Sequence, residues 1–81
     1  MEQKSYALIT GATKGIGRAI TDLLIEQGQL VIGIARNPDP SFKGQLFLAD
    51  LSNAASRNQV FKEIAATYPI DRLVNNIGFN Q

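Results

Sequence analysis

The run Thr10-Gly11-Ala12-Thr13-Lys14-Gly15-Ile16-Gly17 places three glycines within seven residues. It sits where the hydrophobic period changes. Tyr6-Ala7-Leu8-Ile9-Thr10 is a short apolar run that stops at Gly11, as a buried parallel strand would. Beyond Gly15, apolar residues fall at Ile16, Ala19, Ile20, Leu23 and Leu24, an i, i+3, i+4, i+7, i+8 stripe that predicts an amphipathic helix over Ile16–Gln27. The run therefore joins the end of a strand to the start of a helix. A helix N-terminus presents unpaired N–H groups and about half a positive charge, which suits a phosphate. Glycines there let the backbone turn sharply and let a pyrophosphate come close to it. A P-loop is excluded by spacing, because Ile16-Gly17-Arg18 stands where Gly-Lys-Ser/Thr is required. The other reading is a tight strand-to-helix turn that binds nothing, although turning alone needs fewer glycines.

The rest of the chain continues the alternation. Gly28 stands where a left-handed helix end is expected, and Leu30–Ala35 reads as a second strand, apolar on both faces. Residues 36–44 hold two prolines and no helical period, which predicts a loop. Gln45–Ala49 is a third strand ending at Asp50. Ser52 is a plausible N-cap for a helix through Tyr68, with Val60, Phe61, Ile64, Ala65 and Tyr68 on one face. Pro69 stops that helix, and Arg72-Leu73-Val74-Asn75 is a fourth strand running into Asn76-Ile77-Gly78.

Composition bounds the chemistry. A chain of 81 residues makes one domain at most, here 1–81. With 44% apolar and 19% charged residues it has globular composition. A net charge of +1 is too small for a nucleic-acid or membrane-surface binder. There are no cysteines and no histidines, which removes disulfides, thiolate catalysis, cysteine-based zinc sites and the usual neutral-pH general base; no metal site is expected. No apolar run approaches the roughly 18 residues of a membrane span, and the first residues lead into a strand rather than a signal peptide. A cytoplasmic chain is expected.

Thr10-Gly11-x-x-x-Gly15-Ile16-Gly17 resembles the cofactor motif of the short-chain dehydrogenases/reductases. Two further matches follow in order: Asp50-Leu51 after the third strand, and Asn75-Asn76-Ile77-Gly78, which is similar to that family's Asn-Asn-x-Gly, after the fourth. The resemblance spans essentially the whole chain. It implies an α/β fold, the N-terminal half of a Rossmann-type doubly wound parallel sheet with strand order 3-2-1-4. The order would reverse between strands 1 and 4, and ligands bind at such a switch point beyond the carboxyl ends of the strands. Thr10-Gly11 and Asn75-Asn76 would then flank one crevice.

The second strand ends in Ala35-Arg36, where a unit that binds NAD usually has an acid on the ribose hydroxyls. Arg36 is a planar cation suited to phosphate, and Lys14 can approach the same 2′-phosphate from within the glycine loop. In the resembling family these two basic positions imply NADPH over NADH; otherwise both are solvated surface cations. The resemblance further implies that Thr13 and Ile16 offer a hydroxyl and backbone N–H groups to the phosphates, with Gly11, Gly15 and Gly17 shaping the turn. Asp50 would accept from the adenine amino group beside the Leu51 backbone, unless Asp50 or Ser52 only caps the next helix. Asn76 and Gly78 would line the ribose side, and Asn75 would tie neighbouring strands together. Ile77 replaces the family's usual Ala and makes that wall bulkier.

The family's chemistry is hydride transfer between a nicotinamide and a carbonyl or alcohol, using a Ser and a Tyr-x-x-x-Lys that lie downstream of Asn-Asn-x-Gly. None of these is present, so no residue is assigned as catalytic. Tyr68 is followed four residues later by Arg72, and Pro69 breaks the helix that would align them. The chain is thus expected to be a truncated part, inactive alone, of an NADP-dependent oxidoreductase whose small-molecule substrate is met only by a longer parent. An inactive nucleotide-binding or interaction module and a truncated remnant are the alternatives. Two expectations concern packing. Loop 36–44, at nine residues, is short for a parallel crossover, which normally takes about a dozen; it puts the strand order at risk and leaves one face with less cover. Strand 4 would be an edge exposing Leu73 or Val74, so self-association is expected.

Overall fold

The computed structural model describes residues 4–75. Among them the chain runs β1 (Tyr6–Thr10), α1 (Gly15–Glu26), β2 (Leu30–Ala35), β3 (Gln45–Leu48), α2 (Ala54–Thr67) and β4 (Ile70–Val74). The four strands form one parallel sheet in the order β3-β2-β1-β4. The two inner strands are the most apolar, and both of their faces are buried. Alternation along each strand divides the core into two layers. Ala7, Ile9 and Val31 pack with Leu24 of α1, Ala12 and Phe42. Leu8, Ile32 and Ile34 pack with Leu51 and with Val60 and Ile64 of α2 on the other face.

The expected order survives the short 36–44 connection, and the register explains how. The first residue of β3, Gln45, pairs with Ile32, and its last, Leu48, with Ala35. The chain therefore has to return only three residues' length along β2, roughly 10 Å at strand rise, and nine residues can reach about 30 Å. No helix is needed. Phe42, 9% exposed, supplies the cover from within the loop, lying over Gly33 in the middle of β2.

Other expectations need correction. The apolar stripe of α1 is only partly its buried face: Leu24 is buried and Ile20 packs against the same core, together with Gly17 and Thr21, whereas Ile16 is 69% and Leu23 52% exposed, and Ala19 is exposed. The inner row thus runs Gly17, Thr21 and Leu24, with Ile20 and Ile25 partly buried beside it. In α2, Val60 and Ile64 are buried as expected, but Ala65 is exposed. The helix starts from Asn53, not Ser52: the Asn53 Oδ1 accepts from the Ser56 N–H at 2.9 Å. It ends one residue early, with Tyr68 as C-cap. Helix α1 begins one residue earlier than expected, at Gly15, β3 stops short of Ala49, and β4 starts at Ile70 with a register shift against β1 between Tyr6 and Ala7. Gly28 does take a left-handed conformation, φ 87°. No helix among the described residues is long and apolar enough to cross a membrane.

Candidate functional site

The glycine turn is built from both ends. Gly11 at φ 62° follows the end of β1, and the Gly11 and Ala12 N–H groups donate to the Ile34 carbonyl at 3.0 and 3.4 Å, which pins the turn to the last β1–β2 ladder pair. Gly15, at φ 55°, opens α1, and a Cβ placed on it would meet nothing within 4 Å. Its glycine is thus required by the backbone conformation and not by crowding from the protein. Lys14 is the N-cap residue in extended conformation, and its side chain makes no capping hydrogen bond; nor does the first turn carry an acidic residue. The first amides of a helix have no partner within it, and here the N-cap side chain does not take them, so the positive dipole end of α1 is not offset by its own cap. Asn53 satisfies the corresponding position of α2.

The carboxyl ends of all four strands gather around this turn. Thr10, the last residue of β1, donates from Oγ1 to Asn75 Oδ1 at 3.0 Å and reaches the Val74 carbonyl at 3.5 Å, so Asn75 ties the ends of β1 and β4 as anticipated. Arg36 follows β2 directly and is exposed. Asp50 follows β3; the Ala49 N–H donates to the Ala35 carbonyl at 3.0 Å, which sets the two strand ends side by side. The Asp50 carboxyl lies below its ordinary range because the Ser52 hydroxyl and N–H donate to it at 2.6 and 3.0 Å, with the positive charge of Arg36 assisting and desolvation opposing. Asp50 therefore shapes the turn leading to α2 rather than capping the helix. Leu51 is a core residue whose carbonyl accepts from Arg57 Nη1 at 3.0 Å. Lys14, Gly15 and Ile16 are exposed, Thr13 is half-buried and Gly17 is buried. Asn76, Ile77 and Gly78 lie outside the described residues.

One cluster beside the site was not expected. Arg18, in the first turns of α1, spreads its guanidinium over the 36–44 loop, donating from Nη1 to Asp39 Oδ2 at 3.1 Å and from Nη2 to Ser41 Oγ at 3.2 Å, with Nε 3.5 Å from Asp22 Oδ2. Asp39 accepts from the Ser41 hydroxyl and N–H at 2.6 and 3.0 Å. These bonds, then desolvation in the opposite sense, then the Arg18 charge, leave its carboxyl below the ordinary range. The sequence holds only a faint signal of this, a helix arginine and an acid between two prolines. Tyr68 and Arg72 lie on different elements, the end of α2 and the middle of β4, so they form no helical Tyr-Lys-type pair.

A parallel sheet of order 3-2-1-4, helices on both faces and a glycine turn at the switch point define a Rossmann-type α/β unit. Residues 5–81 match the profile of the short chain dehydrogenase family, and the chain belongs to that family. It is 35% identical over 78 residues to a 3-ketodihydrosphingosine reductase of Bacteroides thetaiotaomicron, covering 94% of this chain and 29% of the relative. It is 34% identical over 84 residues to the 3-oxoacyl-[acyl-carrier-protein] reductase FabG of Escherichia coli, covering 93% and 34%. Among solved structures it resembles the ligand-free aldohexose dehydrogenase of Thermoplasma acidophilum, with a TM-score of 0.85 at 29% identity over 98% of this chain and 31% of the other. It also resembles YwfH, an NADPH dependent reductase, with a TM-score of 0.80 at 27% identity over 98% and 39%. The chain spans about a third of the length of the curated relatives it matches.

Proposed function

We propose that this chain is the coenzyme-binding portion of an NADP-dependent oxidoreductase that moves hydride between NADP(H) and a carbonyl or alcohol. The observation that carries the proposal is the start of α1, where two left-handed glycines bring to the crevice between the ends of β1 and β4 a helix N-terminus that its own N-cap side chain does not cap. The diphosphate would rest on the amides of Gly15, Ile16 and Gly17 and on the Thr13 hydroxyl, where the helix dipole favours its charge. Arg36, with Lys14 opposite, would hold the 2′-phosphate, and no carboxylate stands at the end of β2 to favour a free ribose hydroxyl. Asp50 and the Leu51 backbone would border the adenine, and Asn76 and Gly78 the ribose side. The reductase names of the relatives, and the NADPH dependence in the name of YwfH, support the same reading.

When bound, the nicotinamide supplies or accepts the hydride. The residues of this chain bind and orient; proton transfer to the substrate would need groups beyond those assigned here, so the 81 residues alone are expected to bind NADPH without turning it over. A cytoplasmic setting, where NADPH is abundant, belongs to the same proposal. Titration of NADPH against NADH tests it. The wild type should favour NADPH, and Arg36→Asp should reverse that preference, since a carboxylate repels the 2′-phosphate and accepts from the ribose hydroxyls of NADH. A ratio that does not move removes Arg36 from the site, and failure to bind either coenzyme at millimolar concentration removes the function.

A further inference from the structure

We infer that loop 36–44 is a strap that positions Arg36 for the 2′-phosphate, with Phe42 as the positioning residue that seats it. The inference rests on the reading above that Arg36 meets that phosphate.

Arg36 is exposed and has the Asp50 carboxylate as a charged neighbour; where its Cα stands is set by the backbone on either side. On one side Ala35 is fixed in the ladder by pairing with Leu48 and by the hydrogen bond from the Ala49 N–H. On the other side, with only Asn37 and Pro38 between, comes Asp39, whose carboxylate is held by Ser41 and by the fork of Arg18. Proline on both sides of Asp39 stiffens this short span. The Phe42 N–H donates to the Asp39 carbonyl at 3.0 Å and closes the turn, so the ring of Phe42 anchors the same unit from below.

The socket for that ring is specific. A Cβ added to Gly33 would stand 2.5 Å from Phe42 Cζ and 2.7 Å from the Ala12 Cβ. Three parts of the proposed site meet there: the strand that leads to Arg36, the glycine turn through Ala12, and the strap. Gly44 presses equally close, its Cβ position 2.6 Å from the Val31 carbonyl oxygen. The Arg18 fork has a second effect. An unpaired Asp39, three residues from Arg36, would repel the phosphate, and the guanidinium offsets that charge. The strap thus fixes the distance between the diphosphate turn and the 2′-phosphate cation in a chain that has no crossover helix to do so.

The test uses the full chain with Phe42→Leu and Phe42→Ala. Two quantities are followed: the ratio of the NADH to the NADPH dissociation constant, and the rates of tryptic cleavage after Arg36 and after Arg57 in α2. Loosening the strap makes binding pay for ordering Arg36, so the ratio should fall roughly three- to tenfold while NADH affinity stays nearly constant. Cleavage after Arg36 should rise with Arg57 unaffected. Should Phe42→Ala fail to fold, the smaller change to leucine decides. The proposal is overturned if the ratio stays fixed, or if both coenzymes weaken together and both cleavage rates rise together, which is what a purely structural residue would give. A wild type without preference for NADPH overturns the proposed function and the selectivity role alike, and unchanged cleavage after Arg36 overturns the strap itself.

Discussion

Two aspartates at the carboxyl edge of the sheet do the same local work. Asp39 and Asp50 each accept from the hydroxyl and the N–H of the serine two residues on, at matching distances, and each carries a neighbouring arginine, Arg18 or Arg36. These turns hold the ionised carboxylate, which is why both groups sit below the ordinary value of 3.8. A depressed carboxylate stabilises the fold fully above its unfolded pKa and loses that contribution as pH falls through the folded one. Stability against urea should therefore be flat from neutrality down to about pH 5 and decline below about pH 4. Asp39→Asn and Asp50→Asn should each make that acid limb shallower. An acid limb identical to the wild type in the double variant would show that the turns do not depend on charge.

At the level of elements, the strand-helix alternation was plain in the hydrophobic period, because β1 and β2 are apolar on both faces and Pro69 leaves α2 only one place to stop. Finer features were hidden for physical reasons. Ser52 and Asn53 are adjacent residues of the same capping class, and only the backbone of the Asp50–Asn53 turn, with the Asn53 N–H donating to the Asp50 carbonyl at 3.1 Å, decides between them by engaging Ser52 with Asp50. Helix α1 carries more apolar residues than one contact row can bury, so the stripe alone did not say that Gly17-Thr21-Leu24 is the inner row. Phe42 lies in a proline-rich loop, and its partner Gly33 is a glycine within a strand; neither signals a core contact until the fold brings them together. The glycine turn, Arg36 and Asp50 could be placed from spacing because each directly follows a strand end. The capping assignment gives a direct check. Asn53→Ala should lower stability by about 1 kcal/mol in chemical denaturation, and Ser52→Ala by clearly less; the opposite ranking would return the cap to Ser52.

For the whole molecule, the balance between covered and bare apolar surface governs behaviour in solution. Among the described residues, two helices and one aromatic plug cover a four-stranded sheet, and Ile16, Leu23, Leu48 and Leu73 remain at least half exposed. Leu73, 59% exposed, lies on β4, which is an edge among the described residues, as anticipated for that strand, while Val74 is partly buried against the α1 layer. An edge strand combines unpaired backbone donors and acceptors with apolar side chains, a template for pairing with another chain. Burying one leucine side chain contributes about 1.5–3 kcal/mol, so pairing two copies along β4 would gain from both backbone and side chain. We expect the 81-residue chain to self-associate, with a thermal midpoint that rises with protein concentration and a sedimenting mass above that of the monomer. Leu73→Lys places a charge on the edge without touching the core and should return the chain toward monomer. A sharp, concentration-independent transition of a monomeric wild type would mean that two helices suffice to close this sheet, and that its bare leucines are ordinary surface.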